Sequence, residues 1–165
     1  MNEELNNFPL FKKAEEIFVL IQKLSLLVEE NGDKEDVKNH ILVDYKNQLN
    51  TSALIIPGKI VAVFKEDTLY DIKMQCASII RNEAQIILET TSAFEMCGFK
   101  ELDYLELIRN EVEEFRILFA EWVKTFDEWN YVIDRWGLFN PPGINYDDYD
   151  IDDDLPSNNP FDDED

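Results

Sequence analysis

The stretch LELIRNEVEEFRILFAEWVKTFDEWNYVIDRW, Leu105 to Trp136, decides the fold. Its apolar residues fall at Leu105, Ile108, Val112, Phe115, Phe119, Trp122, Phe126, Trp129, Ile133 and Trp136. The steps alternate three and four, which is the heptad spacing of one helical face. Read as a single helix, the stretch is roughly 45 Å long at 1.5 Å per residue. Six of the ten seam residues are aromatic. Burying one large apolar side chain is worth about 1.5–3 kcal/mol, so the other helices are expected to cover this core seam.

Working outward, the preceding segments carry the same period. Asn6 or Asn7 is placed to cap a helix that starts near Pro9, where proline is tolerated. Phe11, Ala14, Ile17 or Phe18, Ile21, Leu24 and Val28 then step by three and four, and Asn31-Gly32 ends the run. A second helix is expected from about Glu35 to Phe64, with Val37, Ile41, Tyr45, Gln48, Ser52 and Ile55 or Ile56 on one face. Pro57-Gly58 interrupts it, leaving a kink within one helix or a break into two. The apolar continuation at Ile60, Val61 and Phe64 favours the kink.

A third helix is expected from Leu69 to about Cys97, capped by Asp67 or Thr68 and ended by Gly98. Its stripe is Ile72, Cys76, Ile79 or Ile80, Glu83, Ile86 or Ile87, Thr90 and Phe94, so that Glu83 is an acid on an apolar face. Four long helices with short connections and no strand give an all-α, up-down-up-down antiparallel four-helix bundle over residues 1–143. After Gly143 the composition turns to Asp, Asn and Pro, and residues 144–165 are expected to be a disordered acidic tail. Tyr146, Tyr149, Ile151, Leu155 and Phe161 are its isolated apolar residues, suited to anchoring the tail on a basic protein partner or, in the blander case, embedded in a solubilising tail.

Charge narrows the function classes. The formal net charge is −21. Tyr146 to Asp165 holds ten acids and no base, so the rest still carries −11. Proteins that bind nucleic acid gain affinity by neutralising phosphates with Lys and Arg, so nucleic acid is expected only through a partner or a local basic patch. No apolar run approaches the roughly 18 residues of a membrane span, and Met1–Asn7 is too polar for a signal peptide. Cys76 and Cys97 fit no CxxC pattern and are expected to be reduced, buried thiols of a cytoplasmic protein, with a disulfide as the alternative.

The residues offer no catalytic constellation. His40 is the single histidine and Val37 stands three residues before it, so the Glu-x-x-His pairs of a di-iron bundle are missing. No activated nucleophile is suggested beside His40, and no glycine-rich phosphate loop occurs. The expectation is a non-enzyme without cofactor or metal. Glu83 is expected either to be satisfied by Arg81, Lys73 or a backbone group, or to serve a subunit contact. Leu118, Val123 and Val132 lie off the main seam and widen the apolar face, which points to self-association or a partner.

Several segments together carry a resemblance. The opening helix holds Leu10-Phe11-Lys12-Lys13-Ala14-Glu15-Glu16-Ile17; the second holds Gln48 and Ile56-Pro57-Gly58-Lys59-Ile60; the third holds Ala77, Glu83 and Leu88, followed by Gly98-Phe99. In this order they resemble the four-helix-bundle proteins encoded in intervening sequences of bacterial large-subunit ribosomal RNA genes, a family that includes the accessory variability protein of diversity-generating retroelements. Thr51, Ala62, Val63, Ile79 and Ile80 depart from that pattern. The resemblance implies a bacterial homo-oligomer, commonly a pentamer, acting as a non-enzymatic scaffold, with a reverse transcriptase and its RNA as partners. Asp152-Asp153-Asp154-Leu155-Pro156 supports a different expectation, an accessory to single-stranded nucleic-acid processing whose acidic tail masks itself and recruits partners.

Overall fold

The computed structural model describes residues 2–30 and 37–149. Five helices appear in order: α1 (Asn2–Asn7), α2 (Pro9–Glu30), α3 (Val37–Ala62), α4 (Tyr70–Met96) and α5 (Leu102–Val123), and the described residues contain no strand. Helix α2 packs on α3, α3 on α4, α4 on α5, and α5 returns to α2, which closes an up-down-up-down four-helix bundle. The ends of α3 and α5 and the starts of α2 and α4 share one end of the bundle. There Phe8 lies 5.6 Å from Phe64 and 6.3 Å from Trp122, centroid to centroid.

The core follows the three-four spacing on each helix. Leu10, Ala14, Ile17, Ile21 and Leu24 of α2 meet Leu49, Ala53, Ile56 and Ile60 of α3, Ile80, Ile87 and Phe94 of α4, and Leu105, Ile108, Val112 and Phe115 of α5. Helix α3 runs through Pro57 without stopping, as expected, because Ile56 and Ile60 on either side are fully buried and hold it in the bundle. The stripe expected on α3 is rotated, however. Leu49 and Ala53 are buried in place of Val37, Ile41 and Gln48, which are exposed. Likewise Ile72 of α4 is exposed, and Ala77 takes an inward position. Helix α4 is preceded by Leu69 with no side-chain cap; its first amide, Tyr70 N–H, instead donates to the Asn130 carbonyl at 2.7 Å.

Gly98 ends α4 by a complete C-terminal motif. Its φ is +83°, its N–H donates to the Glu95 carbonyl, and the Phe99 N–H donates to the Phe94 carbonyl. The Phe94 and Phe99 rings then meet edge-on at 5.3 Å. Glycine is favoured here because a left-handed residue with a Cβ is strained.

Each side of the bundle also carries a polar tie. Asn50 donates to Ser25 Oγ between α3 and α2, and Ser52 Oγ donates to Glu83 between α3 and α4. Arg109 donates to Thr91 and Glu95 between α5 and α4, and Tyr104 donates to the Leu20 carbonyl between α5 and α2. Buried polar groups are costly unless paired, so these contacts select one register among the many that apolar stripes alone would accept.

The helix ends well before the heptad seam does. Helix α5 stops at Val123, not Trp136. Of the ten seam residues, Leu105, Ile108, Val112 and Phe115 are buried on α5, and Phe119 and Trp122 are partly buried. Phe126 and Ile133 are buried but lie beyond the helix, and Trp129 and Trp136 are exposed. Two causes act together. Locally, Thr125, Asp127 and Asn130 offer the backbone other partners: Thr125 Oγ1 donates to the Trp122 carbonyl, and Asp127 Oδ1 accepts the Trp129 N–H. Globally, α2 and α5 each have 22 residues, about 33 Å at 1.5 Å per residue. Another thirteen residues of helix would run roughly 20 Å further, past the ends of α2 and α3, which lie level with Trp122, and beside only the first turns of α4, where Tyr70 already packs on Phe126.

Candidate interaction surface

Residues 124–149 fold back as an irregular lap. Its inward side chains are Phe126, Tyr131, Ile133 and Pro141, all buried or partly so. Phe126 packs on Tyr70 and Ala77 in a second, smaller apolar cluster, joined by Met74, Val123 and Tyr131. Trp122 meets Phe126 edge-on at 4.8 Å and Phe119 at 6.0 Å, so it links this cluster to the main core. Lys73 Nζ sits 5.7 Å from the centre of the Phe126 ring. Asn130 fastens the lap to the start of α4, donating from its amide to the Asp67 carbonyl as well as accepting from Tyr70.

Asp134 is the hub of the second half. Its carboxylate accepts the backbone N–H groups of Trp136, Leu138 and Phe139, each at 2.9 Å. Asn140 closes the ring, accepting from the Asp134 N–H and donating to its carbonyl. The N–H groups of Phe139 and Trp136, assisted by that of Leu138, hold the Asp134 carboxyl below the usual carboxylate range. Gly137, at φ +73°, lets the chain turn, and a Cβ there would meet the Tyr146 side chain at 3.4 Å. Arg135 donates to the carbonyls of Tyr146 and Asp148. Residues 144–149, assigned to the acidic tail by composition, are therefore tied into the lap by this guanidinium. Of the tail anchors, Tyr146 and Tyr149 are exposed on the lap, whereas Ile151, Leu155 and Phe161 lie outside the described residues.

The outward side of the lap is unusual for so acidic a chain. Trp129 is 91% exposed and Trp136 90%, with Leu138, Val132 and Tyr146 more than half exposed. Lone exposed apolar residues are ordinary, but several large ones on one hydrogen-bonded segment make this side of the lap the candidate interaction surface. Their neighbours are Asp127, Glu128, Asp147 and Asp148. Glu128 faces Tyr70, whose phenol is pushed up first by burial and then by that negative charge.

A second concave feature lies between α4 and α5. It is a groove of about 480 Å³ floored by Ala84, Leu88, Phe115, Phe119 and Val123, with Arg81 and Arg116 at its rim. Arg116 is already bound to Glu113 by two hydrogen bonds.

The remaining positions singled out from the sequence are spread through the bundle. Ile56, Ile60 and Ala77 are core, Pro57 and Leu88 are half-buried, Gln48 is exposed, and Gly98 is the helix terminator. They converge on no site. Glu83 is partnered by Ser52 Oγ at 2.7 Å, not by Arg81 or Lys73. Cys76 is buried and its thiol pKa is raised by that burial, with Lys59 opposing; Cys97 is likewise unbridged. His40 is exposed. Among the described residues no group of three His, Cys, Asp or Glu side chains is arranged to hold a metal ion, and no helix is long and apolar enough to cross a membrane. The sequence conceals the lap because its tryptophans fall on heptad positions. The signal available was Thr125, Asp127 and Asn130, three helix-interrupting side chains in six residues. No family model, curated protein or solved structure matches this chain.

Proposed function

We propose that this chain is a non-enzymatic helix-bundle scaffold whose work is to bind a protein partner. The observation that carries this reading is the lap, which holds Trp129 and Trp136 in water on a backbone fixed by Asp134 and Arg135. Keeping such rings exposed forgoes the roughly 1.5–3 kcal/mol that burial of a large apolar side chain provides. Rigid aromatics also supply contact area at low entropy cost, which suits a binding surface. Self-association, the homo-oligomer implied by the resemblance to the intervening-sequence proteins, is the companion proposal, and the apolar groove between α4 and α5 is its seat. A role beside a reverse transcriptase and its RNA rests on the resemblance alone.

Cross-linking in the source cells tests the scaffold reading. A carboxylate-directed reagent should join Asp127, Glu128 or Asp147 of the full chain to one recurrent protein. Cross-links spread over background proteins, with none recurring at the lap, would refute it. For self-association, light scattering should show mass rising with salt as repulsion between −21 chains is screened. A monomer at every salt and protein concentration would refute that part.

A further inference from the structure

The lap offers more than apolar area. Asp127 and Glu128 directly precede Trp129, and Asp134 lies two residues before Trp136. Across residues 124–149 the acids are Asp127, Glu128, Asp134, Asp147 and Asp148, and the bases are Lys124 and Arg135, a net −3. Both bases are engaged, Lys124 with Glu121 and Arg135 with two backbone carbonyls. The indole faces therefore stand in a field of negative potential.

That combination selects its occupant. The face of an indole attracts cations, and carboxylates beside it add charge and hydrogen-bond acceptors. A second copy of the chain carries the same −21 and is repelled at this acidic loop, as are nucleic acids and anionic lipid surfaces. Lysine and arginine both answer the charge. Only the guanidinium is planar, stacks flat on an aromatic face and offers a fork of donors to a carboxylate.

Resting on the scaffold reading, we propose that the lap recognises an arginine-bearing segment of a basic partner protein. Guanidinium groups stack on Trp129 and Trp136 and donate to the exposed carboxylates of Asp127 and Glu128. Asp134 takes no part in contact, because its oxygens are already committed to three backbone amides. It is a positioning residue that keeps Trp136 presented.

The test uses the full chain and peptides of defined chemistry. An eight-arginine peptide, an eight-lysine peptide and an eight-citrulline peptide are titrated by calorimetry at about 0.15 M salt, where the Debye length is about 8 Å and distant charges are screened. The same titrations are run on the double variant Trp129→Ser/Trp136→Ser. Both rings are in solvent, so this variant should melt like the wild type.

The arginine peptide should bind the wild type, bind the double variant about tenfold more weakly, and exceed the lysine peptide. The citrulline peptide, similar in shape but uncharged, should not bind. Equal affinity of the arginine peptide for wild type and variant would overturn the proposal, since charge alone would then explain binding. Equal affinity for the lysine peptide would overturn the guanidinium preference. A concentration-dependent dimer that the double substitution abolishes would show that a second copy covers the lap, which also overturns it. The outcomes separate from those of the scaffold reading. A recurrent cross-linked partner without arginine selectivity removes only this inference, and arginine selectivity without any recurrent partner removes only the scaffold.

Discussion

Trp122 and Trp136 share one heptad register and the same side chain, yet the structure assigns them opposite energetics. Trp122→Ala removes the ring that joins Phe8, Phe119 and Phe126, and so leaves Phe119 alone to connect the small cluster at the end of the bundle to the main core. A tryptophan buries about 150–250 Å², worth about 5 kcal/mol at 25 cal/mol per Å² if fully covered. Trp122 is only partly covered, which reduces this to roughly 3 kcal/mol. Its edge-on contacts contribute about 0.5–1.5 kcal/mol more. The expected loss is about 3.5–4.5 kcal/mol, within the usual cost of deleting a core aromatic. At this chain length that lowers the thermal midpoint by roughly 10 °C. Trp136→Ala, at a residue 90% exposed, should cost less than about 0.5 kcal/mol. Urea melts of both variants beside the wild type provide the measurement. Similar losses near 3 kcal/mol for the two variants would restore one continuous buried seam and refute the helix end at Val123. A loss under about 1 kcal/mol for Trp122→Ala would refute its role as a link.

Three further outcomes are expected. Gly98→Ala should cost about 1–2 kcal/mol in a urea melt, because open space around the added methyl leaves only the backbone penalty of a positive φ; an unchanged midpoint would contradict the αL ending of α4. Asp134 has a depressed carboxyl pKa, so its hold on the lap is present above the ordinary carboxylate value of about 3.9 and is lost as pH falls below it. The amide signals of Trp136, Leu138 and Phe139 should shift only below about pH 4 and should be displaced at neutral pH in Asp134→Asn, whereas a midpoint near pH 5 would contradict the network. Burial pulls the Lys13 ammonium pKa down, but hydrogen bonds to Glu111, Glu114 and Glu16 outweigh it and leave it raised. Lys13→Met should therefore cost about 1–2 kcal/mol at pH 7, between the values for exposed and buried pairs. That difference should hold up to about pH 10.4 and shrink as pH rises through the higher folded value; a constant difference to pH 12 would show that packing, not charge, explains it.

The sequence alone determined the bundle. Period-3.6 apolar spacing on four segments, Pro9 near one start and Gly98 past one end are local properties, and each demands a helix with one buried stripe whatever its neighbours are. The all-α class and the up-down order follow from those stripes and from short connections. Spacing was a weaker guide to the rotation of a stripe. On α3 nearly every face carries apolar residues, so Val37, Ile41 and Gln48 looked as inward as Leu49 and Ala53 until α2 and α4 took their places.

The end of α5 lay further beyond what periodicity can reveal. A heptad count continues as long as apolar residues recur, but a helix continues only while partners remain beside it. The height of α2 and α3 thus decided that Phe126 and Ile133 turn inward on a folded-back chain, Phe126 against the start of α4, while Trp129 and Trp136 face water. The exposed aromatic lap exists because the local pattern and the height of α2 and α3 disagree over residues 124–136. Only the assembled tertiary structure resolves that conflict, since burial is a property of what surrounds a side chain and not of its own spacing.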